Sequence, residues 1–203
     1  PATAAPNLSS WDLLRVPGVA RLFLVNWLLS ASWDVHAFVV PILGHERGFS
    51  ASSIGAILGA FAGAVTLVRL IIPSIAHRLP ESRVLVIAML STGAILGVYP
   101  LVSTALLMGV CAVLLGLALG SVQPMILTKL HHLTPANRHG EAIALRSMTI
   151  GLASAAMPLL FGVAGAAVGA ASLFWAMGAA VALGSRQVHR VDRAAARQVP
   201  LRT

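Results

Sequence analysis

Six long apolar runs, separated by short polar or proline-containing breaks, divide the chain and predict an all-α membrane protein that crosses the bilayer six times. The runs are expected at Leu22–Leu43, Ser53–Ile75, Val84–Leu101, Ala105–Leu127, Ala142–Val163 and Ala166–Leu183. Each is close to the ~20 residues that a hydrocarbon core of ~30 Å requires at ~1.5 Å per residue. The breaks fall at His45–Gly48, at Pro80–Ser82, after Tyr99–Pro100, and in a polar, basic loop from Lys129 to His139. Before the first run, a small polar segment leads into the short amphipathic piece Trp11–Val16, which Pro17 and Gly18 end and which is expected at the membrane surface. This divides the chain into a cytoplasmic linker and surface segment (1–18), a six-helix transmembrane bundle (19–185) and a basic cytoplasmic tail (186–203).

The first run is not uniformly apolar. At about 100° per residue, Asn26, Ser30, Trp33 and Asp34 fall on one stripe, extended by Ala37 and Pro41. A carboxylate near the middle of a spanning helix costs roughly 2.5–3.5 kcal/mol on insertion scales, so Asp34 is expected to face a cavity or a partner and not lipid. It is the first candidate for a proton site or a contact for a cationic group, with structural pairing as the alternative. Trp33 is placed either to stack on a solute ring or to fill bundle volume. His36 lies about 200° from Asp34, so the two do not form a relay along one helix; it is expected to bond a neighbouring helix, with a proton site as the alternative.

Two later runs carry polar groups on one face. Gly116, Gly120 and Gln123 align beside Pro124, and Ser147, Gly151, Ser154 and Pro158 align in the next run. Proline frees a backbone carbonyl and glutamine both donates and accepts, so Gln123 and Pro124 are candidates to hold a polar solute group, or else form an interhelical bond at a kink. Ser147 and Ser154 extend the same pathway. Glycines at spacing four, Gly55, Gly59 and Gly63, Gly93 and Gly97, and Gly116 and Gly120, predict close helix packing. Arg69, Glu141 and Arg146 all stand near one end of the bundle, where an ion-pair network between them would close an inner gate.

Composition sharpens this picture. Hydrophobic residues make up 58% and charged residues 10%, with a mean hydropathy of +0.88, which excludes a soluble domain. A formal net charge of +8 on such a chain is not a nucleic-acid signal. With six spans, Arg15, Arg21, Arg78, Arg83, Lys129, Arg138, Arg186, Arg190, Arg193, Arg197 and Arg202 share one side, and only Arg47 the other. The positive-inside rule therefore puts both termini in the cytoplasm, with Arg69 and Arg146 expected to snorkel to that interface. The basic residues are all arginine except Lys129, a composition pointing to a GC-rich bacterial source and its plasma membrane. Cys111 stands alone, and there is no zinc spacing, Gly-x-Ser-x-Gly or His-Glu-x-x-His, so no metal, cofactor or enzyme chemistry is expected.

Pro73–Arg83, Pro135–Ala142 with the glycines and proline after it, and Gly48–Gly55 together resemble the carboxy-terminal six-helix half of a major facilitator superfamily transporter. Between the second and third runs, Pro73–Arg83 stands where the family often has Gly-x-x-x-Asp-Arg-x-Gly-Arg-Arg; Arg78 and loosely Arg83 fit, whereas Pro73, His77 and Pro80 depart from it. Pro135–Ala142, leading to Gly151, Pro158 and Gly162, is similar to the start and pattern of the family's eleventh helix. Gly48–Gly55 is similar to its short external turn and glycine-led next helix. The resemblance implies half of a twelve-helix fold that rocks about a central site, with its first, second, fourth and fifth helices lining the cavity, and Arg78 joining Arg69, Glu141 and Arg146 at the cytoplasmic gate. The implied partners are the lipid bilayer, an amino-terminal six-helix half or a second copy, a small solute and protons. The expected function is proton-coupled efflux. The alternatives are an uptake permease for an organic acid, which Arg69 or Arg146 reaching the solute would favour, and a non-transporting scaffold subunit.

Overall fold

The computed structural model describes residues 10–75 and 79–196. Seven α-helices are described: α1 (Val19–Glu46), α2 (Ala51–Ile75), α3 (Glu81–Val98), α4 (Ala105–Gly120), α5 (Val122–Leu133), α6 (His139–Val168) and α7 (Ala170–Ala196). Short 3-10 turns at Ser10–Arg15, Tyr99–Leu101 and Ala136–Arg138 link or precede them. Five stretches are long and apolar enough to cross a membrane, with α4 and α5 together making one of them, Ala105–Leu133. The sixth element, α7, is 27 residues long but carries Arg186, Arg190, Asp192 and Arg193 in its second half.

Three boundaries differ from the sequence reading. The fourth run breaks at Ser121 and resumes through Leu133, so Lys129 to Leu133 is helical and not loop. Pro124 explains the break: it offers no N–H to the carbonyl four residues back, that of Gly120, where α4 ends. The fifth run continues to Val168, and the last helix starts only at Ala170, after Gly169 takes φ +82° and ψ 156°, a conformation essentially reserved for glycine. Beyond Gly184, α7 does not dissolve into a tail but stays helical to Ala196, because Val188, Val191 and Ala194 remain buried against the bundle.

Two of the helix starts have a side-chain cap. Ser50 Oγ accepts the backbone N–H of Ser53 (3.2 Å) at the start of α2, and Thr104 Oγ1 accepts that of Leu107 (3.4 Å) at the start of α4. Arg47, just after α1, donates to the carbonyls of Pro100 (2.5 Å) and Val102, and so ties the α1–α2 turn to the turn after α3.

The packing is lopsided. α1 and α3 lie against α7, α2 lies against α4, and α6 leans on α1. Of the most apolar stretch of α1, 67% is buried, against 22% for α2 and 11% for the span containing α6. Thus α1 is the central helix, whereas α2 and α6 each present a broad uncovered face. At the other pole, Lys129 of α5 bonds Asp192 of α7 (2.5 Å), Ser82 of α3 donates to the same carboxylate (2.7 Å), and Lys129 also reaches Ser82. One buried ammonium thereby fastens three helices.

Candidate functional site

The buried centre of α1 turns its polar stripe into a cavity of about 260 Å³. Ser30, Trp33 and Asp34 line it from α1, Arg69 from α2, Gln123 from α5, and Ile150 and Ser154 from α6. The helical spacing that aligned Ser30, Trp33 and Asp34 in the sequence is what places all three on one wall. Asp34 is only 7% exposed, and its carboxylate accepts the Ser154 hydroxyl at 3.1 and 3.4 Å. Among the described residues no cation stands within ion-pair distance of it. Asp34 is thus neither locked to a basic neighbour nor turned to lipid.

Arg69 behaves differently from its expected role. Its guanidinium lies over the Trp33 ring, 5.6 Å from the centroid, and lines the cavity instead of snorkelling to an interface. Phe61 meets the same indole edge-on at 4.7 Å, so the ring is wedged between α2 and the cavity. The cavity therefore holds a carboxylate, a guanidinium and an aromatic face together.

Arg146 is also turned inward and is 7% exposed. It donates to Asn26 Oδ1 at 3.0 and 3.1 Å and to Gln123 Oε1. Asn26, the end of the predicted stripe, thus serves as an acceptor beneath the cavity and not as part of its lining. Gln123 is held by Arg146, which leaves its amide nitrogen as the group able to donate to a solute. Pro124 lies beside the lining and shapes it through the α4–α5 break. Ser147 shares a side of α6 with Ser154 but lies two turns away, exposed and outside the cavity. The inward stripe of α6 is instead Arg146, Ile150 and Ser154, at spacing four.

The gate expected from Arg69, Glu141 and Arg146 is laid out otherwise. Glu141 accepts two bonds from Arg138, at 2.7 and 3.2 Å, one turn earlier in the chain. Arg146 is drawn to Asn26 and Gln123 because buried neutral acceptors satisfy a guanidinium without the desolvation of a second charge. Arg78 lies outside the described residues. His36, expected to bond another helix, does so: its Nδ1 is 3.4 Å from the Tyr99 hydroxyl, its ring packs on Phe61 at 4.1 Å, and it faces away from the cavity.

The polar groups of the cavity come from four helices of a six-span bundle, and the sequence pattern that defines the Major Facilitator Superfamily matches residues 22–191. The chain belongs to that family. The match runs from the first turn of α1 almost to the end of α7, so every cavity residue lies within it. As a member of the Major Facilitator Superfamily this is a multi-pass membrane transporter chain for small solutes, with the extent of one six-helix half of the fold. No curated protein matches the chain. What the cavity takes must be read from its own chemistry.

Proposed function

We propose that the chain forms the solute-binding half of a proton-coupled secondary transporter that carries a small organic anion into the cell. The observation that carries this reading is the joint placement of Asp34, Arg69 and Trp33 on one cavity of about 260 Å³. Arg69 offers a charge-assisted donor pair to a carboxylate or similar group. Asp34, when ionised, repels that same anion across the cavity, and taking a proton removes the repulsion. Proton and anion then favour each other's binding, which is the coupling a symporter needs.

The same chemistry weighs against proton-exchange efflux of a cation. A cation would compete with the proton for Asp34 and need the Trp33 face, but Arg69 already covers that face and repels a second positive charge. Of the expected functions, uptake of an organic acid is therefore the one this arrangement supports best.

A second six-helix bundle, from the same polypeptide or another copy, closes the open faces of α2 and α6 and completes alternating access. The arginine distribution supports cytoplasmic termini in a bacterial plasma membrane. The test is transport by the complete protein in proteoliposomes with an acid outside. Labelled carboxylates are expected to accumulate and organic cations not to compete. Arg69→Gln is expected to weaken apparent anion affinity about tenfold, the loss of about one charge-assisted contact, with Arg69→Lys recovering part of it. Cations outcompeting anions would overturn the reading.

A further inference from the structure

Where the Pro17–Arg21 turn at the start of α1 meets the last turns of α7, a second cavity of about 560 Å³ opens to the surface. Arg15, Arg21, Arg190 and Arg193 line it, and among the described residues no carboxylate does. The start of α1 packs closely on α5 and α7 here. Gly18 takes φ +95°, and a Cβ there would touch Leu133 at 3.4 Å and the Val191 carbonyl at 3.6 Å. Arg21 Nη1 donates to the Arg190 carbonyl at 3.2 Å.

The two acids nearest in sequence do not pair with Arg21, Arg190 or Arg193. Asp12 pairs with Arg15 at 3.5 Å, and Asp192 is turned to Lys129 and Ser82. Among the described residues, Arg21, Arg190 and Arg193 have no acidic partner within 4.0 Å, and all three are exposed. Three like charges held around one hollow repel one another unless an anion occupies it.

Depth selects the anion. The apolar run of α1 begins at Leu22, directly after the cavity residue Arg21, so the hollow lies where hydrocarbon gives way to headgroups. That zone is only about 5–8 Å deep on each side. Leu14, Val16 and Ala20 supply an apolar floor beside the arginines.

We propose that this cavity binds a phosphate group, that of an anionic phospholipid in the adjoining leaflet, and that the lipid braces the start of α1 against the end of α7. The site is separate from the solute cavity and does not depend on what that cavity carries.

The test places the complete transporter in nanodiscs of phosphatidylglycerol or of phosphatidylcholine and counts lipids retained by native mass spectrometry after delipidation. Phosphatidylglycerol is expected to be retained and phosphatidylcholine lost. Arg190→Gln and Arg193→Gln should each lower retention about fivefold, without altering thermal unfolding in phosphatidylcholine. Arg186→Gln removes the same charge from the same helix outside the cavity and is expected to leave retention unchanged. In a parallel arm, inorganic phosphate is titrated into phosphatidylcholine discs. A rise in unfolding temperature that Arg190→Gln abolishes supports the phosphate chemistry of the site. Phosphate raising stability while phosphatidylglycerol leaves as readily as phosphatidylcholine would overturn the lipid assignment. An effect of Arg186→Gln equal to that of Arg190→Gln would reduce the cavity to diffuse charge and overturn the site.

Discussion

Glycines four residues apart occur on both flanks of the bundle, but the flanks use them in opposite ways. On the closed flank, a Cβ on Gly116 would stand 2.6 Å from the Phe61 carbonyl, and Gly93 and Gly178 meet so closely that a Cβ on either would lie 2.8 or 2.9 Å from the other's carbonyl. On the open flank, Gly55, Gly59 and Gly63 of α2 and Gly151 and Gly162 of α6 have nothing within 4 Å of the same position. Spacing four makes a close approach possible; only the neighbouring helix decides whether it happens. The contrast divides the molecule into a half whose helix faces are covered within this chain and a half whose faces are not.

The difference predicts a graded set of outcomes, all read in the complete protein. Gly116→Leu must drive a side chain into the α2 backbone, so folded yield is expected to collapse, and even Gly116→Ala should cost about 1–3 kcal/mol by thermal or denaturant unfolding. Next comes the polar fastening of the closed flank. Asp192→Asn leaves the Lys129 ammonium, whose side chain is only 10% exposed, without its counter-charge. The cost should fall between the about 1 kcal/mol of an exposed pair and the about 3 kcal/mol at which buried pairs begin.

Arg146→Met leaves the acceptors of Asn26 and Gln123 unpaired beneath the cavity, at about 1–3 kcal/mol. It is also expected to loosen solute binding, because Gln123 loses its orientation; unchanged solute affinity would show that Gln123 does not touch the solute. The smallest stability effect belongs to the open flank. Gly59→Ala should be neutral or stabilise by up to about 1 kcal/mol through helix propensity, whereas Gly59→Phe should stop transport with folded yield intact. Full transport by Gly59→Phe would remove the second bundle from this face.

The same contrast marks what could be read from the residues alone. The stripe of Ser30, Trp33 and Asp34 was legible because neighbours along one helix obey a fixed rotation, and Gln123 and Ser154 were legible as polar groups on apolar runs. The family and the six-span plan were legible from run lengths and loop residues. Arg69 over Trp33 was not, because a long side chain near a helix end can point to the interface or back into the bundle. Its choice depends on where α2 sits beside α1. The inward turn of Arg146 was hidden for the same reason, since its partners lie on two other helices. Helix ends failed where local chemistry competes with tertiary burial: Val188 and Val191 hold α7 together through a charged stretch that reads as tail.

The central claim is that Asp34, buried and without a basic partner among the described residues, moves the proton that drives the solute. The direct measurement compares two fluxes of the complete protein carrying Asp34→Asn: net uptake driven by a pH gradient, and solute-for-solute exchange at equal pH. The account predicts that net uptake is lost while exchange persists, because a permanently neutral residue still admits the anion beside Arg69 but can no longer release a proton. Net uptake at the unsubstituted rate, following the pH gradient as before, would contradict it.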